Sequence, residues 1–332
     1  MNTDIKNYLA NLQLGAPQSH HHIFLIPLTA TVKDAPAFVA LADAMEAKTL
    51  TVGEVSQGGS VPQLLVENDG EQPVLIIDGE ELLGAKQNRV LNTSILLKER
   101  SRTVVPVSCT EQGRWAYTSA HFAMSDAFLE RKIRSLKSRS VSASLAENAT
   151  PRSDQGEVWD GILELLAKAK LSSSTGALYD AFKAQRGRLT EYLQAFPCQP
   201  NQVGLLVIIQ DKVVGLDVVA RPEVYARLHE RLIRSYVLDA LLESPPETTP
   251  DVDVSALARA FLDSLDQSHE EVFPSVGYGH DHRYQTPSLT GSVLVHDHHL
   301  IHATFLTTEP TAPSSGPAHL SALRRLRHFR MG

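Results

Sequence analysis

The chain has 332 residues, 42% of them hydrophobic and 21% charged, with a formal net charge of −7. That length is ample for a real core, and the acidic balance argues against a general nucleic-acid binder. Two cysteines far apart, Cys109 and Cys198, exclude a disulfide framework and a CxxC metal site and favour a reducing compartment.

At the N-terminus, MNTDIKNYLANLQLG carries Ile5, Tyr8, Leu9 and Leu12 at helical spacing, without the unbroken apolar core of a signal peptide. No later run approaches membrane-spanning length, so a cytoplasmic protein without membrane association is expected. Residues 35–47 are Ala-rich and read as a short helix. IFLIPL, TLTVGEV (49–55) and QLLVEN (63–68) are short, apolar and bounded by turn residues, hence strands. Asp69-Gly70 predicts a hairpin whose return strand is PVLIID (73–78). VLNTSILL (90–97) reads as one strand, with Leu91, Thr93, Ile95 and Leu97 on one face and Asn88, Val90, Asn92 and Ser94 on the other. RTVVPVSC (102–109) follows as a strand in which Pro106 belongs at an edge or a bulge.

The middle of the chain changes character. Residues 125–138 read as a helix and the Ser-rich 139–153 as a mobile loop. Asp154 caps a helix over 156–169, with Glu157 at capping-box spacing and Trp159, Ile162, Leu163 and Leu166 as its buried stripe. A second helix, 176–195, puts Leu178, Phe182, Leu189, Tyr192, Leu193 and Phe196 on one side. VGLLVIIQDKVVGLDVVA (203–220) is a hairpin turning at Asp211-Lys212, and Pro222 opens a helix to Leu242. A linker (244–253), a helix (254–265) and a last hairpin (292–306) follow. Residues 307–317 read as a disordered spacer, and Leu320, Leu323 and Leu326 mark a marginal amphipathic tail. Residues 307–332 carry Arg324, Arg325, Arg327 and Arg330 against Glu309, a basic arm suited to a protein partner. The expected class is α+β, antiparallel sheets and hairpins with a helical middle: one compact domain over 1–306, then the spacer and tail, 307–332.

Residues 78–97, DGEELLGAKQNRVLNTSILL, place too many hydrogen-bonding groups between strands for a plain turn. Glu80, Glu81, Lys86, Gln87, Asn88 and Arg89 are joined by Glu111, Gln112, Arg114 and Trp115 of CTEQGRW, all at predicted strand ends, where loops concentrate function. Arginine offers a planar fork for carboxylate or phosphate, Gln and Asn read amides or hydroxyls, and Trp115 supplies a stacking wall. Glu80 and Glu111 are candidates for a general acid/base pair. The competing reading is that Arg89 and Arg114 bridge these carboxylates and lock two loops together.

His280, His282, His296, His298, His299 and His302 could bind zinc by spacing, but several sit in a predicted turn, and no metal or other cofactor is expected. RKIRSLKSR (131–139) reads as a solvated helix end; with no aromatic residue interleaved, it offers no platform for nucleic-acid stacking. TEQG between Cys109 and Arg114 lacks a glycine-rich phosphate cradle, and GxSxG, P-loop and Rossmann patterns are absent.

GEELLGAKQNRVLNTSILL with VPVSCTEQGRW, continuing through VGLLVIIQDKVVGLDVV, LIRSYVLDAL, GYGHDHRY and GSVLVHDHHLIHATF, resembles the ARG and Rhodanese-Phosphatase-superfamily-associated protein domain family. The likeness covers most of 20–306, and its GxDxR pattern adds Asp281 and Arg283 to the candidates. It implies a bacterial protein working near ADP-ribose or phosphoester chemistry, in a conflict system, and supplies no catalytic residue. The leading expectation is a domain that binds a small polar, anionic ligand, of ADP-ribose or nucleotide-sugar type, through Gln87, Asn88, Arg89, Gln112, Arg114, Trp115, Asp281 and Arg283. The alternatives are a non-catalytic regulatory or interaction module and, more weakly, a hydrolase using Glu80 and Glu111.

Overall fold

The two apolar runs in residues 202–219 build the centre of the largest sheet: strands Gln202–Ile209 and Lys212–Val219 form an antiparallel hairpin. The computed structural model describes residues 1–31, 35–242 and 252–308. Gln202–Ile209 pairs with Ile23–Thr29, which also takes the short strands Gln13–Leu14 and Gln18–His20. Lys212–Val219 pairs with His299–Thr307, and the sheet runs on through Leu289–His296 and His280–Thr286 to His269–Pro274. All nine strands are antiparallel, and the N-terminal, middle and C-terminal parts of the chain share this one sheet.

Leu205 and Val207 enter one apolar core, while Val203, Leu206 and Ile208 enter another on the opposite face. Both faces are covered, which is why 203–209 is an unbroken apolar run rather than an alternating one. Helices Arg131–Asn148 and Pro222–Leu242 lie on the first side; Thr3–Ala10 and Val254–Ser264 cover the second through Ile5, Leu9 and Ala258. Each fully buried Leu or Ile in these layers contributes about 1.5–3 kcal/mol relative to exposure.

A six-stranded sheet runs Phe122–Phe128, Glu80–Gly84, Arg89–Leu91, Ser101–Cys109, Gln63–Asn68, Leu50–Glu54. A three-stranded one runs Ile95–Leu97, Val74–Ile76, Val39–Ala40, its last pair parallel. Val52, Val66, Ile76, Leu91, Ile95 and Val105 belong to a third apolar core between them. The class is α+β.

Several elements depart from the sequence reading for identifiable reasons. The Asp69-Gly70 turn does not close a hairpin: Gln63–Asn68 pairs with Leu50–Glu54 and Ser101–Cys109, whereas Val74–Ile76 pairs in the other sheet. The buried Asn68 amide donates to the Gln72 and Lys98 carbonyls and carries the chain across. The expected strand 90–97 breaks at Asn92–Ser94, whose side chains are spent on partners described below. Pro106 sits where its strand exchanges one neighbour, Gln63–Asn68, for another, Arg89–Leu91. Residues 122–128 are a strand with a register shift between Met124 and Phe128, which hides the period-2 pattern.

The Ser-rich stretch predicted as a loop is helical to Asn148. Ser135, Ser138 and Ser142 are small and buried, and Ser138 meets Thr290 of the large sheet, so the serines permit close packing rather than mark a turn. In the next helix Leu165 and Val158 are buried while Leu163 is exposed, a rotation of the expected stripe. Residues 178–195 form two helices, Leu178–Ala184 and Arg186–Ala195, parted at Gln185. The short helix near 40 is only Leu41–Glu46. Most of the linker and all of the tail from residue 309 lie outside the described residues.

Candidate functional site

The opening polar stretch distributes its side chains into two separate places. The first is a charged layer sealed inside the protein. Register across the large sheet puts Asp217 beside Thr304, Thr304 beside Ser292, and Ser292 beside Arg283, so one sheet face carries a polar row. Helix Arg131–Asn148 lays Arg134 and Lys137, one turn apart, over that row. Arg134 binds Asp217 through both terminal nitrogens at 2.6 and 3.0 Å, and Tyr236 donates to the same carboxylate at 2.7 Å. Burial opposes ionisation of Asp217, but Arg134 and His302 hold its carboxyl well below the usual range. Lys137 pairs with Asp78 and donates to the Leu91 carbonyl at 2.9 Å; burial pulls its ammonium down despite Asp78.

Asp281 and Arg283 belong to this layer. Arg283 donates to Asp281 at 2.6 Å and to Thr93 at 2.7 Å, and Thr93 donates to Asp281. Ser94 and His302 share a hydrogen bond of 2.8 Å, and Asn92 accepts from Ser108. None of the hydrogen bonds of Asp281 or Arg283 reaches the Gln87–Trp115 group. Among the described residues the side chains of Asp281 and Arg283 are hydrogen-bonded to each other and to Thr93 rather than to Gln87, Arg89, Glu111 or Arg114.

The two candidate carboxylates are both occupied. Glu80 is fully buried, paired with Arg231 at 2.8 Å and accepting from the Ile77 amide. Glu111 meets Arg114 at 2.6 Å and accepts from the Asn88 amide; burial pushes it up, but these bonds bring it below its ordinary value. Its carboxylate neighbour is Glu81, not Glu80. Glu81 is enclosed, accepts from Thr110 and Ser125, and is pushed up to about 7, mainly by burial. Arg114 also donates to the carbonyls of Ala85, Ala116 and Gly84 and to Asn88, so it ties two loops together.

The second place is where Arg89 and Glu54 lie buried side by side, at the ends of strands Leu50–Glu54, Arg89–Leu91 and Ser101–Cys109. Arg89 has no exposed surface; its Nη1 donates to Gln87 and to Cys109 Sγ, both at 2.9 Å. Its Nε and Nη2 have no hydrogen-bond partner. Glu54 lies 3.9 Å from Nη2, too far for a hydrogen bond, its side chain is 3% exposed, and neither of its oxygens is bonded. Buried charged atoms left this way call for an explanation, and others occur on Asp78, Glu80, Arg134, Arg231 and Arg283 among the described residues. Burial pushes the Cys109 thiol up to about 11, which removes it as a nucleophile near neutral pH.

Two loops lie over the Glu54–Arg89 pair. Trp115, 48% exposed, sets its ring 5.6 Å from the Arg89 guanidinium carbon. Lys86 Nζ lies 5.2 Å from the rings of both Trp115 and Tyr117 and donates to the Gly58 carbonyl at 2.6 Å. Gly59, at φ +75°, passes so close that a Cβ there would lie 3.1 Å from Lys86 and 3.4 Å from Glu54 and Trp115. Gln87 donates to the Glu111 carbonyl at 2.8 Å, and Gln112 is exposed. The structure thus assembles Gln87, Arg89 and Trp115, sets Asn88 and Arg114 beside them as framework, and adds Glu54 and Lys86.

The basic run 131–139 is not the solvated end its sequence suggests. Arg131, Arg134 and Lys137 are buried, and Arg131 pairs with Asp239 at 2.5 Å. Its outer side, with Lys132 and Arg139, lines a cavity of about 730 Å³ shared with Asp154, Lys168 and Asp239. Among the described residues no three of His, Cys, Asp and Glu cluster so as to hold a metal ion. His296 and His299 flank a hairpin turn at Asp297 and His298, both with positive φ. No described helix is long and apolar enough to cross a membrane.

The fold is α+β, and loops carrying Lys86, Trp115 and Tyr117 lie over the buried Glu54–Arg89 pair. The chain belongs to the ARG and Rhodanese-Phosphatase-superfamily-associated Protein domain family, whose sequence pattern it matches over residues 11–306. No curated protein and no solved structure matches it.

Proposed function

We propose that this domain recognises a small polar, anionic ligand of the nucleotide-sugar kind at the Glu54–Arg89 pair beneath Trp115, in company with ADP-ribose or phosphoester chemistry. The observation that carries the reading is the Arg89 guanidinium: fully enclosed, held by Gln87 and Cys109, yet with Nε and Nη2 unbonded. Lys86 at the rim and the exposed faces of Trp115 and Tyr117 add a cation and two stacking surfaces. The family's description, which associates it with ARG and with the rhodanese-phosphatase superfamily, supports a setting of phosphoester chemistry.

Thermal-shift measurement with ADP-ribose tests it. A ligand at a hundred times its Kd stabilises the native state by about 2.7 kcal/mol, a rise of several degrees in a chain of this size. Lys86→Ala and Arg89→Lys should reduce the rise. Absence of any shift at millimolar ADP-ribose refutes the reading. A module that binds no small ligand and works through protein contacts is the second reading, and the internal spending of Arg114 favours it.

A further inference from the structure

Building on the reading above, we infer that this site takes its ligand hydroxyl-first, seating a vicinal diol of a phosphorylated sugar against Glu54 and Arg89 while the phosphate stays outside at Lys86. Among the described residues four buried polar atoms of this pair have no hydrogen-bond partner: Oε1 and Oε2 of Glu54, and Nε and Nη2 of Arg89. The first two only accept hydrogen bonds and the last two only donate.

A bare phosphate or carboxylate suits the Arg89 half and not the other. Seated on the guanidinium, it would lie close to a carboxylate that is itself 3.9 Å from Arg89, inside a region sealed from water. Like charges at such separations repel strongly where solvent is excluded. Two adjacent hydroxyls fit both halves. Each donates its proton to one oxygen of Glu54 and offers lone pairs to the arginine edge, so a neutral diol closes all four open atoms.

The surroundings agree with a sugar. Trp115 lies over Arg89 and presents a flat apolar face to the same space, the surface on which the C–H face of a sugar ring packs. Gly59 lets the neighbouring loop approach Glu54 and Trp115 without a side chain. Lys86, three residues before Arg89, is half-buried and donates one hydrogen bond, to Gly58, so that it has donors left for an anion at the rim. Admission requires Trp115 to lift. It is half exposed, and the ring contacts that hold it are with Lys86 and Arg89.

Calorimetric titration of the full chain with ribose 5-phosphate, 2-deoxyribose 5-phosphate and inorganic phosphate decides the matter. Ribose 5-phosphate should bind at least about tenfold tighter than its 2-deoxy analogue, because the missing hydroxyl leaves a buried charged atom unbonded. Glu54→Gln, which keeps size and shape, should bring the two within about threefold. Lys86→Ala should weaken both alike and leave their ratio unchanged. Equal binding of the two sugar phosphates, or phosphate binding as tightly as ribose 5-phosphate, overturns the diol assignment and leaves an anion site. If ADP-ribose raises the melting temperature while none of the three probes binds, the assignment fails and the broader reading stands. If ADP-ribose is silent as well, both fail.

Discussion

Glu81 offers a direct test of how the interior was built. Its carboxyl is fully enclosed, accepts hydrogen bonds from Thr110 at 2.8 Å and Ser125 at 3.0 Å, and is raised from 4.5 to about 7. Burial is the largest cause, and the two hydroxyls, which favour the charged form, offset only part of it. Between those two values the folded chain holds the proton and the unfolded chain does not, so stability is fully present below the lower value and falls as pH rises through the upper. At about 1.4 kcal/mol per pH unit, this single group removes roughly 3 kcal/mol between pH 4.5 and pH 8. Glu81→Gln is neutral at every pH and can still meet both hydroxyls, which rotate to donate to its oxygen or accept from its nitrogen. Urea denaturation of the parent and variant at pH 5 and pH 8 measures the difference. The variant should gain on the parent by about 2–3 kcal/mol on moving to pH 8. A stability gap that stays constant from pH 5 to pH 8 means that Glu81 ionises normally, and the argument from burial is then wrong.

Three further expectations concern stability. Arg114→Ala deprives the buried Glu111 and several loop carbonyls of their donor and should cost about 2–4 kcal/mol in urea, whereas Lys86→Ala, at the rim, should cost less than about 1 kcal/mol. In the sealed layer, Lys137→Ala and Asp78→Ala should each cost about 3–5 kcal/mol, while the double variant should cost clearly less than their sum; additive losses in a double-mutant cycle would rule out direct pairing. Gly79→Ala should cost about 2–4 kcal/mol, because φ is +96° there and an added Cβ would lie 2.6 Å from the Phe128 ring; a neutral result by calorimetry would contradict the packing described.

The parts of the fold that were legible in sequence are those whose signal is local. Hairpin 202–219 shows its two apolar runs and its turn within a few residues, and Pro222 announces a helix that does run to Leu242. Signals failed where a residue type has two uses. Serine in 139–153 reads as a turn former, yet Ser140 and Ser142 lie within a helix that runs to Asn148, and Ser142 is buried there. The triplet Asn92, Thr93 and Ser94 reads as part of a strand, yet each side chain is committed to a partner that a regular strand could not reach.

The charged layer was hidden for a different reason. Its members are far apart in sequence: 59 residues separate Lys137 from Asp78, 83 separate Arg134 from Asp217, and 208 separate Ser94 from His302. A basic run such as 131–139 therefore resembles a solvated face until the acidic partners are brought to it. The same geometry makes a case for why such costly pairs are kept. Burying three cations opposite three carboxylates gains little net stability over an apolar layer, but a strand shifted by one residue would strand several charges at once. The layer thus penalises wrong registers of the sheet more than it rewards the right one. Glu54 and Arg89 stand apart from that logic. They are 3.9 Å apart and leave four polar atoms unmet, where Arg134 and Asp217 close at 2.6 Å. Asp78, Arg134 and Arg283 in the sealed layer each leave one atom unbonded among the described residues, whereas Glu54 and Arg89 leave two each beneath a half-exposed tryptophan, and it is this difference that the proposed ligand would answer.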